Sequence, residues 1–152
     1  MPSDLWDFAQ RLYGRPGVER ACLQLQEAGA DVCLLLCGAW LQRHGVACTP
    51  ARFAHLQAIA QPWQTEVISP LRQLRQNWRT AAQRQAPLAA LRERLKELEL
   101  DAEQQLLLAL QACAHDWARA SESAVPAWLE ALAGTDADPD ALQLLRDEAM
   151  QA

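Results

Sequence analysis

Lysine is almost missing from this sequence: Lys96 stands alone beside thirteen arginines. Such a bias follows from genome base composition as readily as from chemistry, so it carries no functional weight. Glycine and proline are also scarce, six and eight in 152 residues, which speaks against a β-sandwich or barrel with its many tight turns. Net positive charge is lacking as well. A formal charge of −5 argues against general binding to DNA or to an anionic membrane, since both require a basic surface. The longest apolar run, Val32 to Leu41, is ten residues, about half of what a membrane-spanning helix needs. The first residues, Met1 to Trp6, show no basic region followed by an apolar run, so no secretory signal is expected and the cytoplasm is the expected compartment.

Catalytic signatures are missing too. There is no G-x-G-x-x-G, no Walker loop and no G-x-S-x-G. The residues three before His44, His55 and His115 are Leu41, Arg52 and Ala112, which excludes the repeated Glu-x-x-His of a di-iron bundle. Five cysteines, an odd number in a chain without an export signal, speak for free thiols. Cys33 and Cys37, four apart on one helical face, have a spacing that suits a ligand or thiol site. Their apolar setting favours packing instead. Zinc would need four donors with paired short spacings, so no metal and no cofactor are expected. His115 beside Asp116 is the one imidazole with an adjacent carboxylate, an arrangement more common on a solvated helix face.

What the sequence has is helix formers with helical periodicity. Ser3 or Asp4, then Asp31 and Thr49-Pro50, read as helix starts. The Val32–Leu41 segment, apolar all round, reads as a buried helix over about 31–44. Pro62 is expected to start a new element, and a kink or break is expected near Ile68 to Pro70. A stripe through Leu88, Leu91, Leu95, Leu98, Ala102, Leu106, Leu110, Cys113 and Trp117 favours helix throughout 88–119, either as one helix with a bend at Leu100-Asp101 or as two, with Asp101 and Gln104 as a capping box that restarts it. Glu97, Glu99, Asp101 and Glu103 alternate along it and are expected to face solvent. Ser123 reads as a cap for a short helix, and an acidic, flexible loop is expected at 134–139. The expectation is therefore an all-α, single-domain bundle over 1–152, with six to eight helices around the apolar one.

Charge is unevenly distributed. Residues 71 to 96 hold Arg72, Arg75, Arg79, Arg84, Arg92, Arg94 and Lys96 against Glu93 alone, a net +6, so the remainder carries −11. Such a strip suits docking of an acidic or phosphorylated protein, or of RNA with a steep salt dependence. Intramolecular pairing with the glutamates at 97 to 103 is an equal alternative.

The stretch Asp4-Leu5-Trp6-Asp7-Phe8-Ala9, then Tyr13, Pro16-Gly17-Val18, Ala21-Cys22-Leu23, Leu25-Gln26, Gly29-Ala30-Asp31-Val32, Leu34-Leu35-Leu36 and Trp40, resembles a family of uncharacterised bacterial proteins of gammaproteobacterial type, a domain of unknown function. The similarity continues through Pro70-Leu71-Arg72, Arg75, Glu97-Leu98-Glu99-Leu100 and Glu103, and so spans nearly the whole chain. Where Cys33 stands the family carries Asn. The resemblance implies a small, helical, cytoplasmic bacterial protein, and it supplies no activity or catalytic residue.

Together these features point to a non-catalytic interaction or adaptor protein docking through Arg72, Arg75, Arg79, Arg84, Arg92 and Arg94. The partner is expected to be another protein, with RNA or a second copy as the other choices and no membrane. The alternative is a small-molecule or lipid-like ligand binder, or a small enzyme, with a pocket in the helical core near Cys33, Cys37 and His115.

Overall fold

A computed structural model describes residues 4–117 and 128–152, which are helical and contain no β-strand. Helix α1 (Leu5–Tyr13) starts where the Asp4 carboxylate accepts the Trp6 amide at 2.9 Å, and it buries Leu5, Phe8, Ala9 and Leu12. Helix α2 (Val18–Glu27) follows a left-handed Gly17, φ +81°. Pro16 lies in the turn ahead of this helix and not in its first turn. A Cβ at Gly17 would come within 2.9 Å of Leu144, so glycine serves both the turn and the close approach of the C-terminal helix.

Helix α3 (Val32–Arg43) is the centre of the molecule. Asp31 caps it by accepting the Leu34 amide, and every residue from Cys33 to Leu41 is buried. The chain then runs through α4 (Pro50–Trp63), capped by Thr49, a π-helical turn (Gln64–Ile68) and α5 (Ser69–Asn77). At Ile68–Pro70, where a kink or break is expected, the chain does not leave the helix but changes from the π turn to α5 at Ile68–Ser69, and Pro62 lies inside α4 instead of starting an element. Each proline removes one helical donor, and the wide π turn between them shifts the hydrogen-bond register without ending the helix. A single turn, α6 (Arg79–Ala82), leads into α7 (Ala86–Ala114). This helix is continuous through Leu100-Asp101, and its 29 residues span about 43 Å. Helices α8 (Trp128–Ala133) and α9 (Pro139–Gln151, capped by Asp138) complete the described chain. The predicted Ser123 cap lies outside the described residues.

α3 packs against α1, α2, α4, α7, α8 and α9, and their buried side chains form one contiguous core. Gly38 sets the α3–α8 approach: a Cβ there would lie 2.5 Å from Leu132 Cδ1 and 3.2 Å from Trp128 Cβ. Trp128 donates its indole N–H to the Val46 carbonyl at 2.7 Å and stacks on Trp117, whose ring also lies under the Arg52 guanidinium.

α7 departs from the predicted stripe. Leu95, Ala102, Leu106 and Leu110 are buried, but Leu91 and Leu98 are exposed, and Glu99 takes an inward position. α5 and α6 pack on α7 without contributing a buried residue, and among the described residues nothing covers Leu91 and Leu98, which stay in solvent.

Candidate functional site

The π turn, α5 and α7 face α1, α2 and the start of α3 across a cleft of about 1040 Å³ that opens to solvent. This is the size range of small-molecule sites, although its wall is more polar than most. Four carboxylates, Glu19, Asp31, Glu99 and Glu103, and two guanidiniums, Arg72 and Arg75, line it, together with Trp6, Tyr13 and Gln64.

Both guanidiniums are engaged by α7. Arg75 holds Glu99 through two prongs, Nε to Oε1 at 2.9 Å and Nη2 to Oε2 at 3.2 Å. Arg72 reaches Glu103 at 3.4 Å and Glu99 at 3.8 Å. Glu99 is buried and Glu103 half-buried, contrary to the solvent-facing placement read from their alternation in sequence. Residues four apart share one helical face, and the arginines three apart on α5 meet them there.

Asp31 differs from both glutamates. Its Oδ1 accepts the Gln64 amide at 2.9 Å and the Leu34 N–H at 3.2 Å, and it forms no ion pair among the described residues. Burial raises its pKa, opposed by the hydrogen bonds from Leu34, Cys33 and Gln64 and, last, by the charge of Arg72. Burial also raises Glu103, with Arg72 opposing. Burial, helped by the charge of Glu19, pushes the Tyr13 phenol up to about 12. The cleft therefore carries more negative charge than its arginines neutralise, in surroundings that penalise charge without a partner.

The arginine strip is not one surface. Arg72 and Arg75 turn into the cleft, and Arg92 donates to the Arg75 carbonyl at 2.9 Å. Arg79, Arg84 and Arg94 are exposed, with no ion pair among the described residues. The other set divides as well. Cys33 lines the cleft while Cys37 is buried elsewhere in the core, and His115 is exposed at the end of α7, away from the lining. The Cys33 thiol stands well above its ordinary pKa, through burial first and then Asp31.

Sequence reasoning favoured a helix-cap role for Asp31, although the family resemblance also marks it as a position worth testing, and it missed Tyr13 and Gln64 as site residues. The legible signal was the pair of matched spacings, Arg72-Arg75 and Glu99-Glu103. Gln64 carried none, because its place depends on the π turn. No group of three or more His, Cys, Asp or Glu able to hold a metal ion occurs among the described residues, and no helix there is long and apolar enough to cross a membrane.

No curated protein and no solved structure matches this chain. One family does: residues 4–123, which include the charged residues of the cleft wall, match the family described as protein of unknown function (DUF2390), and the chain belongs to it.

Proposed function

We propose that the protein binds a small organic cation, an amine or guanidine, in the cleft beside Asp31. The observation that carries this reading is the charge arrangement of the wall, in which both guanidiniums are engaged by Glu99 and Glu103 while the desolvated Asp31 carboxylate has hydrogen bonds but no ion pair among the described residues, and feels Arg72 only as a more distant charge that the glutamates already engage. An ammonium group placed there gains a charge-assisted hydrogen bond, and Trp6 and Tyr13 offer aromatic faces to its alkyl chain or charge. The carboxamide of Gln64 holds Asp31 in place from the π turn, and such turns are frequent at functional sites. No hydrogen-bonded nucleophile–base pair is found among the described residues of the cleft, and the buried Cys33 thiol stands well above its ordinary pKa, which favours binding as the reading.

The test is thermal unfolding with putrescine, spermidine, agmatine or arginine, against MgCl2 at matched ionic strength, for wild type and Asp31→Asn. Asparagine preserves the helix cap, so the variant folds. Saturable stabilisation by an amine, lost in the variant, is expected. No shift, or the same shift in both proteins, overturns the reading.

A second reading, docking of an acidic or phosphorylated protein, is favoured by Arg79 and Arg84, exposed around the turn between α5 and α7 without ion pairs among the described residues. Affinity purification with and without nuclease, using wild type and Arg79→Glu/Arg84→Glu, tests it. A stoichiometric protein that survives nuclease and is lost in the variant is the expected result, and recovery of the protein alone removes this reading.

A further inference from the structure

Along the outer side of α7, Leu91, Arg94, Leu98, Asp101, Gln105 and Leu108 follow one another at steps of three and four residues, and all six are exposed. That is the heptad spacing of a coiled-coil seam, on the side of the helix turned away from the core. Its leucines are unusually open, Leu91 at 49%, Leu98 at 52% and Leu108 at 41%. A shallow groove formed by Trp78, Leu91, Leu95 and Leu98 widens the apolar surface beside them. The leucines of the seam make no contribution to the chain's own core, and Arg94 has no ion pair among the described residues.

We infer that this seam pairs with the same seam of a second copy, antiparallel, about a two-fold axis near Leu98–Asp101. The charges select both the occupant and the direction. In a parallel pair in register, Arg94 would meet Arg94 and Asp101 would meet Asp101, two repulsive layers among the layers formed by the three leucines and Gln105. Reversing one helix about the midpoint of 98 and 101 places Leu91 opposite Leu108 of the second copy at both ends. It also brings each Arg94 within one turn of the second copy's Asp101. The surface is self-complementary, as an isologous two-fold contact requires. An acidic partner helix would pair with Arg94 but be repelled by Glu97 and Asp101 on the same groove.

Sedimentation velocity across a micromolar concentration series tests this on the full chain, with circular dichroism and thermal unfolding to verify the fold. The exposed positions of Leu91 and Leu98 make Leu91→Glu/Leu98→Glu safe for folding. Wild type should be a dimer, and this variant should dissociate about tenfold or more easily. Arg94→Asp alone should weaken the dimer, and Arg94→Asp/Asp101→Arg should restore it. A wild-type monomer throughout the series, or a dimer indifferent to the leucine substitutions, overturns the proposal. Loss of the dimer in the leucine variant without rescue by the charge exchange overturns the antiparallel arrangement.

Discussion

Arg75 and Glu99 meet across the α5–α7 seam as a two-pronged pair, with two nitrogens on two oxygens at 2.9 and 3.2 Å. α5 contributes no fully buried residue and packs on the core only through the partly buried Leu71, so this pair, the adjacent Arg72 contacts and the Arg92 bond to the Arg75 carbonyl help fix where α5 lies on α7. They also form one wall of the cleft.

Glu99→Ala should therefore destabilise the protein by about 2 kcal/mol, less than for a fully buried pair because the Arg75 side chain keeps 24% of its exposure. The loss comes from two guanidiniums left without their shared carboxylate. Glu97→Ala, two residues away on the exposed side, should stay within about 0.5 kcal/mol. Urea midpoints at constant slope measure both.

Gly38→Ala should cost about 1–3 kcal/mol, because the new methyl meets Leu132 Cδ1 and the Trp128 Cβ behind it. The signature is non-additivity. In Gly38→Ala/Leu132→Ala the methyl occupies space that Leu132 has vacated, so the double variant should be more stable than the sum of the singles predicts.

Asp31 gives the pH dependence a definite sign. Its folded pKa lies above the ordinary 3.8, so between the two values the folded chain binds more protons than the unfolded one, and its contribution to stability falls as pH rises through that window. Glu103, raised from 4.5, acts in the same direction. Asp31→Asn should compare better with wild type at pH 7 than at pH 4, as read from paired urea titrations at the two values.

Thiol labelling should divide the five cysteines. Cys48 and Cys113 are partly accessible, with pKa values raised by burial. Cys22, Cys33 and Cys37 are buried, and Cys22 is pushed up to about 12 by burial and by Glu19. Alkylation followed by mass spectrometry in native buffer should modify Cys48 and Cys113 first, and the other three at rates that track global unfolding. Fast labelling of Cys33 would mean that the cleft opens more deeply than its geometry implies.

Local signals in the sequence determined the helices and their starts. Asp4, Asp31 and Thr49 each accept an amide at a helix start, because capping needs only a side chain and the two or three residues after it, whereas Asp138, which caps α9 in the same way, was read only as part of the acidic loop. The apolar run at 32–41 determined the central helix for a similarly local reason, since a segment with no polar face has to be surrounded. The membership of the family was legible too, in residues spread from Asp4 to Glu103.

Which way α7 faces was decided only by the tertiary structure. Its sequence carries two apolar seams, one through Leu95, Ala102 and Leu106 and one through Leu91, Leu98 and Leu108, and periodicity weighs them equally. The choice fell to the bundle, which buries the first seam, draws Glu99 inward to the arginines of α5 and leaves the second in solvent. The cleft followed from the same choice. Its charges come from four helices, and no local pattern encodes the distance between side chains that meet only when those helices pack.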